Sequence, residues 1–438
     1  MVAAVLALAA CSGSSGADPG PGSRQSQDAT SSADAQRACD AVTTRLLASV
    51  QRYVDRYGAT LSRNPTSSAS PSTSPSSAPP STSSGAGDDA ELRSSLQQAQ
   101  KELDSKNCDL AAFRTSFAAG LDKVTANGPL ARAVLLRLTA SMTGRLASSP
   151  KTITVAPSGD LAREVAALAP GSTVTLRAGR HVLRQPLVLL AGITLRGVGR
   201  ERTTLSSRAA GALILVLSDQ RTELRDLAVR HTGRRPASVL VGGPGSSIVL
   251  TGARLSGGFA RKGSSDGQSG MGVLMTARAG DNTARGTTLQ VTRTQVSDNT
   301  AAGLLLTGAH RASVRSTTFR TNGQCGVCFA GKSSGGVQRS TFENNGVGVA
   351  VLDQANPTVT DNDFDGGQVA VQVSGRAAPT VRKARIDSPS RAGMIFGDRS
   401  SGRVDGARCQ NITYGIVVSP QALPFIGRGN KCPISIGR

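Results

Sequence analysis

The chain has no tryptophan, three tyrosines and three histidines in 438 residues. Each scarcity excludes something. Single-strand nucleic-acid binders stack bases on aromatic platforms. Beyond residue 150 the chain offers Tyr414 as its one tyrosine, so no nucleic-acid partner is expected, nor recognition of neutral sugars by stacking. His181, His231 and His310 are scattered, and Cys325-Gly326-Val327-Cys328 is the one CxxC, so a zinc site is not expected. The apolar first residues are too short to span a bilayer, which takes ~20 residues, and no other segment could cross one.

Acidic residues are also scarce. The chain carries 50 Lys+Arg against 29 Asp+Glu, a formal net charge of +21. Residues 1–150 hold 14 basic against 12 acidic side chains; residues 151–438 hold 36 against 17, and 31 of those 36 are arginine. A field of that sign draws polyanions. The competing reading is compositional: a GC-rich genome favours arginine, and arginine stems cover apolar surface.

What the chain has in abundance is a repeat. Val291, Val314, Val337, Val359, Val381 and Val404 follow one another at steps of 23, 23, 22, 22 and 23 residues. Five positions after each stand Val296, Phe319, Phe342, Phe364, Ile386 and Cys409. Short apolar runs follow: AGLLL, CGVCF, VGVAV, VAVQV, AGMIF and YGIVV. A period of about 20–50 residues marks a solenoid. Each period holds short β-type runs and turn residues, with no room for a helix, so one period is one coil. Strand neighbours sit about 4.8 Å apart, which sets the rise per coil. In each run the third and fifth residues are large and apolar and must share the interior face. Asn299, Asn322 and Asn345, 23 apart, are expected to bond amide to amide along the stack.

With its N-x-F and G-V-x-V phrases, this repeat resembles the right-handed parallel β-helix proteins, the architecture of pectate lyases and polygalacturonases. ITVAPSGDLAREVAALAPGSTVTLRAG, then ITLRGVGRERTTL, resembles the entry to such solenoids: a strand, a short capping helix, then the first coil. The resemblance implies an all-β right-handed parallel β-helix of roughly ten coils over 150–438, behind a small N-terminal α-helical domain. It implies no catalytic residue. Gly-His-Gly, Asn-Thr-Asp and Asp-Pro-His are missing from the solenoid, and the one Asp-Asp pair, Asp88-Asp89, lies outside it.

The N-terminal part divides by composition. Residues 1–11 are apolar and end in Leu8-Ala9-Ala10-Cys11, which resembles a bacterial lipoprotein signal with Cys11 as the lipidated residue. The expectation is export and a lipid anchor on the outer face of the cell membrane. Residues 12–32 read as a flexible tether. Residues 33–149 read as a helical bundle interrupted by a disordered Ser/Pro loop over 64–87. Cys39 and Cys108 flank that loop, and in an exported protein their pairing is expected. Cys409 and Cys432, one coil apart, are expected to bridge as well. Cys325 and Cys328, three apart in one strand, should lie about 10 Å apart on opposite faces and stay unbonded.

Candidate chemistry concentrates at the irregular coil 255–291, where two insertions flank MGVLM. Loops on a rigid scaffold are where sites gather. The expected catalytic set is His231, Asp266, Asp281 and Arg261, with His231 or an arginine taking a proton. The expected binding set is Arg234, Arg235, Phe259, Lys262, Arg278, Asn282 and Arg285. The alternative is two surface loops beside a solvated histidine. Glu343, Asp365 and Asp387 form an acidic column with Arg320 one coil before; it could raise one carboxyl's pKa, invite a cation, or be a solvated face. DNDFDGG imitates a calcium loop but has Gln372 where the closing glutamate belongs. Its Asp361 and Asp363 read instead as rungs of an ion-pair ladder with Arg339, Lys383 and Arg385. No metal or other cofactor is expected, calcium being the one ion the pattern suggests.

The function expected from the sequence is binding of an acidic wall or extracellular polysaccharide by a monomeric surface lipoprotein. The alternatives are a polysaccharide lyase, hydrolase or epimerase at the irregular coil, or a structural spacer.

Overall fold

The computed structural model describes residues 28–62, 84–261, 268–276 and 287–437. Cys11 and the segment before it lie outside the described residues, as does most of the expected Ser/Pro loop. The chain falls into two units, one of residues 1–148 with 162–167, the other of 149–161 with 168–438.

The first unit is helical: α1 (Asp28–Ser62), α2 (Ser84–Ser105), α3 (Leu110–Leu121) and α4 (Pro129–Met142), followed in the chain by α5 (Leu161–Ala166). Helix α1 begins within the stretch expected as tether, and α2 begins four residues inside the expected loop. The Asp109 side chain caps α3, accepting from the Ala111 amide at 2.8 Å. Gly128 precedes α4, whose first residue is Pro129, where a missing N–H costs nothing. Val42, Leu46, Val50 and Val54 recur at helical spacing on α1 and pack with Leu103, Phe113, Phe117 and Leu121. Cys39 and Cys108 are disulfide-bonded.

The second unit is a parallel β-solenoid. Among the described residues its strands form three sheets: sheet A of 12 strands, sheet B of 10 and sheet C of 11. The valine column is real, with Val291, Val314, Val337, Val359, Val381 and Val404 in register down sheet A. Val296, Phe319, Phe342, Phe364, Ile386 and Cys409 stack down sheet B. Ring centroids are 5.0 Å apart for Phe319–Phe342 and 4.8 Å for Phe342–Phe364. These parallel stacks continue the strand spacing through the core.

The corners explain the turn composition. At the A-to-B corner one residue per coil takes the left-handed conformation: Asp226, Arg293, Ser316, Arg339, Asp361 and Lys383, with φ between 47° and 57°. Asp298, Thr321, Asn344, Ser388 and Asn411 do the same at the B-to-C corner. Short polar residues tolerate that region best. Just inside it runs the asparagine ladder. Asn299 donates to Asn322 at 2.8 Å, and Asn322 donates to Asn345 at 2.9 Å.

The glycine second in each sheet C run but one, where Ala370 stands, has a packing reason. A Cβ at Gly326 would lie 2.6 Å from the Phe342 ring and 2.8 Å from the Gly348 carbonyl oxygen. At Gly348 it would meet the Phe364 ring and the Ala370 carbonyl oxygen, each at 2.5 Å. The phenylalanine column and the glycine column therefore require each other.

One cysteine expectation is overturned. Cys325 and Cys328 are disulfide-bonded, their Cα atoms 6.0 Å apart. The disulfide shows that strict alternation does not hold across the run, and the pairing to the next coil, Cys325 with Val347 and Val327 with Val349, omits Gly326. Cys328 alternates with the inward Val327 and Phe329, and both cysteines join a separate apolar cluster with Met271, Leu274, Ala302 and Ala350. Cys409 and Cys432 are bonded as their spacing suggested, Cα atoms 4.9 Å apart.

Candidate functional site: an arginine ridge at the B-to-C corner

The irregular coil is anchored by main-chain pairing. The Ala237 amide donates to the Phe259 carbonyl at 2.7 Å, and the Phe259 amide returns the bond at 2.8 Å. The Gly270 amide donates to the Ala237 carbonyl as well, at 3.0 Å. Ser238, fully buried, donates to the Gln268 carbonyl at 2.7 Å and accepts from the Met271 amide at 3.2 Å. The stems of the first insertion are thus held on the preceding coil. Thr276 and Thr287 bound the second insertion.

His231 is not the accessible base that the sequence suggested. It is 3 % exposed, with Nδ1 3.2 Å from the Gly257 carbonyl oxygen and Nε2 3.1 Å from that of Ala209. Both ring nitrogens face backbone carbonyls on neighbouring coils, so neither is open to a substrate proton. The reason is register. Leu183, Ser207 and His231 share one column at the end of sheet B, beside the buried corner. Phe259 is half-buried in the loop stem, while Arg234, Arg235 and Arg261 are exposed. Lys262, Asp266, Arg278, Asp281, Asn282 and Arg285 lie outside the described residues.

The same column reveals what the sequence reading missed. Arg184 and Arg208 directly follow Leu183 and Ser207, so they occupy matching corner positions on adjacent coils. Arg234 and Arg235 follow on the next coil, and Arg261 on the one after. Gly233 lies against this stack; a Cβ there would be 2.8 Å from the Arg208 carbonyl oxygen. Arg184, Arg208, Arg230, Arg234, Arg235 and Arg261 are all exposed. Among the described residues none of the six has an acidic partner, and the corner turns acidic one coil later, at Asp298. Arg230 stands in sheet B between Ser206 and Ser256, and the other five follow sheet B on their coils, so four successive coils carry exposed arginine on this side of the solenoid, a basic ridge with coils about 4.8 Å apart. The 24-residue step from Arg184 to Arg208 was the available signal, obscured because the repeat is regular only beyond residue 289.

Some arginines elsewhere are matched to acids, while others, Arg311, Arg315 and Arg320 among them, are exposed with no ion pair among the described residues. Arg254 pairs with Glu201 at 2.5 Å. Glu223, 8 % exposed, sits between Arg221 at 3.3 Å and Arg225 at 2.8 Å. Arg385 holds both Asp361, at 3.2 Å, and Asp363; the hydrogen bond to Asp363 is the main reason its pKa is raised. Arg403 bonds Asp405 at 2.5 Å and holds that carboxyl below its usual range. The expected ladder is therefore narrower than proposed. Arg385 takes two acids, and among the described residues no ion pair joins Arg339 or Lys383 to Asp361.

Glu343, Asp365 and Asp387 do share a column, with Arg320 before them. Asp387 accepts from the Asn411 amide at 2.8 Å and from the Ser388 hydroxyl at 2.9 Å. Among the described residues no group of three or more His, Cys, Asp or Glu converges as a metal ion would need. Stacked carboxylates project side by side and do not close on a common centre.

His310 is the other buried imidazole. It is 1 % exposed, with Nδ1 hydrogen-bonded to the Thr287 hydroxyl. Burial pushes its pKa below the usual histidine value, the Thr276 backbone pulling the other way.

This geometry defines a right-handed parallel β-helix. Residues 272–430 match the family model described as "Right handed beta helix region". Among solved structures, the chain is similar to the catalytic domain of a GH87 alpha-1,3-glucanase, at 9% identity over 67% of this chain and 69% of that one, with a TM-score of 0.36. It is similar to pectate lyase Pel9A, at 9% identity over 66% and 80%, TM-score 0.32. It is also similar to the A-module of the Azotobacter vinelandii mannuronan C-5 epimerase AlgE6, at 12% identity over 61% and 91%, TM-score 0.30. No curated protein matches the chain. Likeness at this level concerns the fold alone, and fold does not specify activity.

Proposed function

We propose that the solenoid binds an acidic polymer of the cell wall or extracellular matrix along the arginine ridge, and that it does so without breaking a bond. One observation carries this reading: six exposed arginines on four successive coils with no acidic partner among the described residues. A guanidinium takes a carboxylate or phosphate through two parallel hydrogen bonds, and its charge does not titrate in the working range. Arginines repeated at one-coil spacing suit a chain that carries an acidic group in each repeating unit and lies along the axis. Of the expected catalytic set, His231 is buried and Arg261 is the one exposed member among the described residues. The lipid anchor at Cys11 belongs to the same proposal: it would hold the basic face at the outer membrane surface.

The test is a binding screen of the purified protein against polygalacturonate, alginate, wall teichoic acid and neutral dextran. Binding to at least one acidic polymer, none to dextran, and weakening as salt rises from 50 to 500 mM support the reading. Equal binding to dextran, or no binding to any acidic polymer, contradicts it. New unsaturated or reducing ends during incubation would show catalysis and contradict the non-catalytic part alone.

A further inference from the structure

Sheet C differs from the other two sheets in its charge. Among the described residues none of its eleven strands holds a charged residue, whereas sheet A presents Arg196, Arg225 and Arg382 and sheet B presents Arg320, Glu343 and Asp365. Its outward side chains are apolar as well. One column runs in register from Val188 through Leu215, Val241, Leu305 and Ile395 to Val417. Gln372 is the one polar member of this column. Side chains alternate along a strand, and the flanking Leu304, Leu306, Met394 and Phe396 are fully buried, so the column faces away from the core. Nine coil steps make it about 43 Å long. Leu215, Val241, Leu305, Ile395 and Val417 are half-buried, and Leu274, Cys328 and Ala350 between them belong to the apolar cluster around the Cys325–Cys328 disulfide. Two positions further along their strands' coils, Leu190, Leu217 and Leu352 widen the stripe.

Both long edges of this face are basic. The arginine ridge lies along the B-to-C corner, and exposed Lys332, Arg376 and Arg399 lie along the C-to-A corner. Among the described residues the acids at these corners are fewer: Asp219, Asp298, Asp353 and Asp398. Two of them are engaged by the main chain, Asp353 accepting from the Gly331 amide at 2.7 Å and Asp398 from the Gly375 amide at 2.8 Å. The backbone of the face is satisfied too. Every strand of sheet C between its first and last pairs on both sides, so contact with an apolar medium strands no main-chain donor or acceptor.

We infer that the outer face of sheet C lies flat on an anionic lipid bilayer, with its apolar stripe against the acyl boundary and its two basic edges on the headgroup phosphates. An apolar face between cationic edges is the charge pattern of an interfacial membrane contact. Arginine and lysine stems reach from such an edge up to the phosphates. A second copy laid face to face would set cationic edge against cationic edge. A neutral glycan would need aromatic platforms, and the outward column of sheet C has none. The inference goes beyond polymer binding and does not rest on it: the ridge serves here as one edge, and the apolar stripe carries the contact.

Co-sedimentation with vesicles tests the inference, using the full chain with Cys11→Ser so that no acyl anchor contributes. The probe is phosphatidylcholine containing about 30% phosphatidylglycerol, an anionic surface, with pure phosphatidylcholine beside it. The chain should bind the mixed vesicles at least tenfold more tightly than the neutral ones. Leu215→Gln, Leu305→Gln, Ile395→Gln leaves the net charge unchanged and should lose at least tenfold in affinity for the mixed vesicles. Leu215→Met, Leu305→Met, Ile395→Met keeps the stripe apolar and should lose less than threefold. No binding by the parent chain, equal binding to neutral vesicles, or equal affinities of the Gln and Met variants overturns the inference. A second measurement needs no change in sheet C: mixed vesicles carrying a diazirine on the acyl chain should label peptides of sheet C in the parent chain, and labelling confined to other peptides overturns the inference. The Gln variant keeps the ridge, so its polymer binding should equal that of the parent chain, and the two readings fail separately.

Discussion

Asn322 donates its side-chain amide to the side-chain oxygen of Asn345, one coil on, at 2.9 Å, and both are buried. The amide also reaches the Val296 carbonyl at 3.1 Å, and the Asn322 side-chain oxygen accepts from Asn299 at 2.8 Å. Removing the middle rung leaves the buried Asn299 amide and Val296 carbonyl without their partner, each costing about 1–3 kcal/mol, while Asn345 keeps the Asn322 main-chain N–H. Asn322→Ala should therefore lower unfolding stability by about 2 kcal/mol or more in a urea titration. A loss under about 0.5 kcal/mol would show that the ladder is dispensable.

The interlock of phenylalanine and glycine columns gives a second prediction. Phe342→Ala should cost about 3–5 kcal/mol, as loss of a buried ring does. Gly326→Ala should destabilise too, because its Cβ would press on the Phe342 ring and the Gly348 carbonyl. In the Phe342→Leu background the same glycine change should cost measurably less, and thermal melts of the four proteins give that coupling. Additive costs would contradict the interlock.

Much of the fold was legible because a solenoid repeats its chemistry. Val314, Phe319 and Asn322 each have counterparts 22 or 23 residues away, so register could be read without coordinates. Three things were not legible. The strict alternation of a strand does not hold across Gly326, and Cys325 and Cys328 meet. The burial of His231 depends on how the irregular coil packs, and Gly257 and Ala209 offer no sequence signal for it. The arginine ridge lies in the early coils, where insertions spoil the period. Arg184 and Arg208 could be aligned only once Leu183 and Ser207 were seen in register.

The three disulfides should rank by the chain each encloses. In the loop-entropy account, Cys39–Cys108, separated by 69 residues, contributes about 4 kcal/mol. Cys409–Cys432, separated by 23, contributes about 3 kcal/mol, and Cys325–Cys328, separated by 3, about 2 kcal/mol. Paired Cys→Ala variants, unfolded in guanidinium without reductant, should lose stability in that order. Alkylation and mass spectrometry of the native chain should find no free thiol at 325 or 328.

His310 sets a pH dependence. Its folded pKa lies below the unfolded value of about 6.5 because burial disfavours the charged ring. As pH falls below about 6.5, the unfolded chain gains a proton that the folded chain refuses, so stability falls with pH until the folded value is reached. Above pH 7 both states are neutral there and the effect is absent. Between pH 6.5 and 5 the wild type should lose more stability than His310→Gln; equal slopes would contradict this assignment.

The most direct test compares two sets of charge removals. In gels containing the acidic polymer that binds best, mobility retardation gives the dissociation constant of each variant. Arg208→Gln, Arg234→Gln, Arg235→Gln removes half the ridge. Arg311→Gln, Arg315→Gln, Arg339→Gln removes as many positive charges from sheet A and its corner. The account predicts at least a tenfold loss of affinity, about 1.4 kcal/mol, for the ridge set and less than a threefold loss for the other. Equal losses in the two sets would show that overall charge, and no particular ridge, holds the polymer.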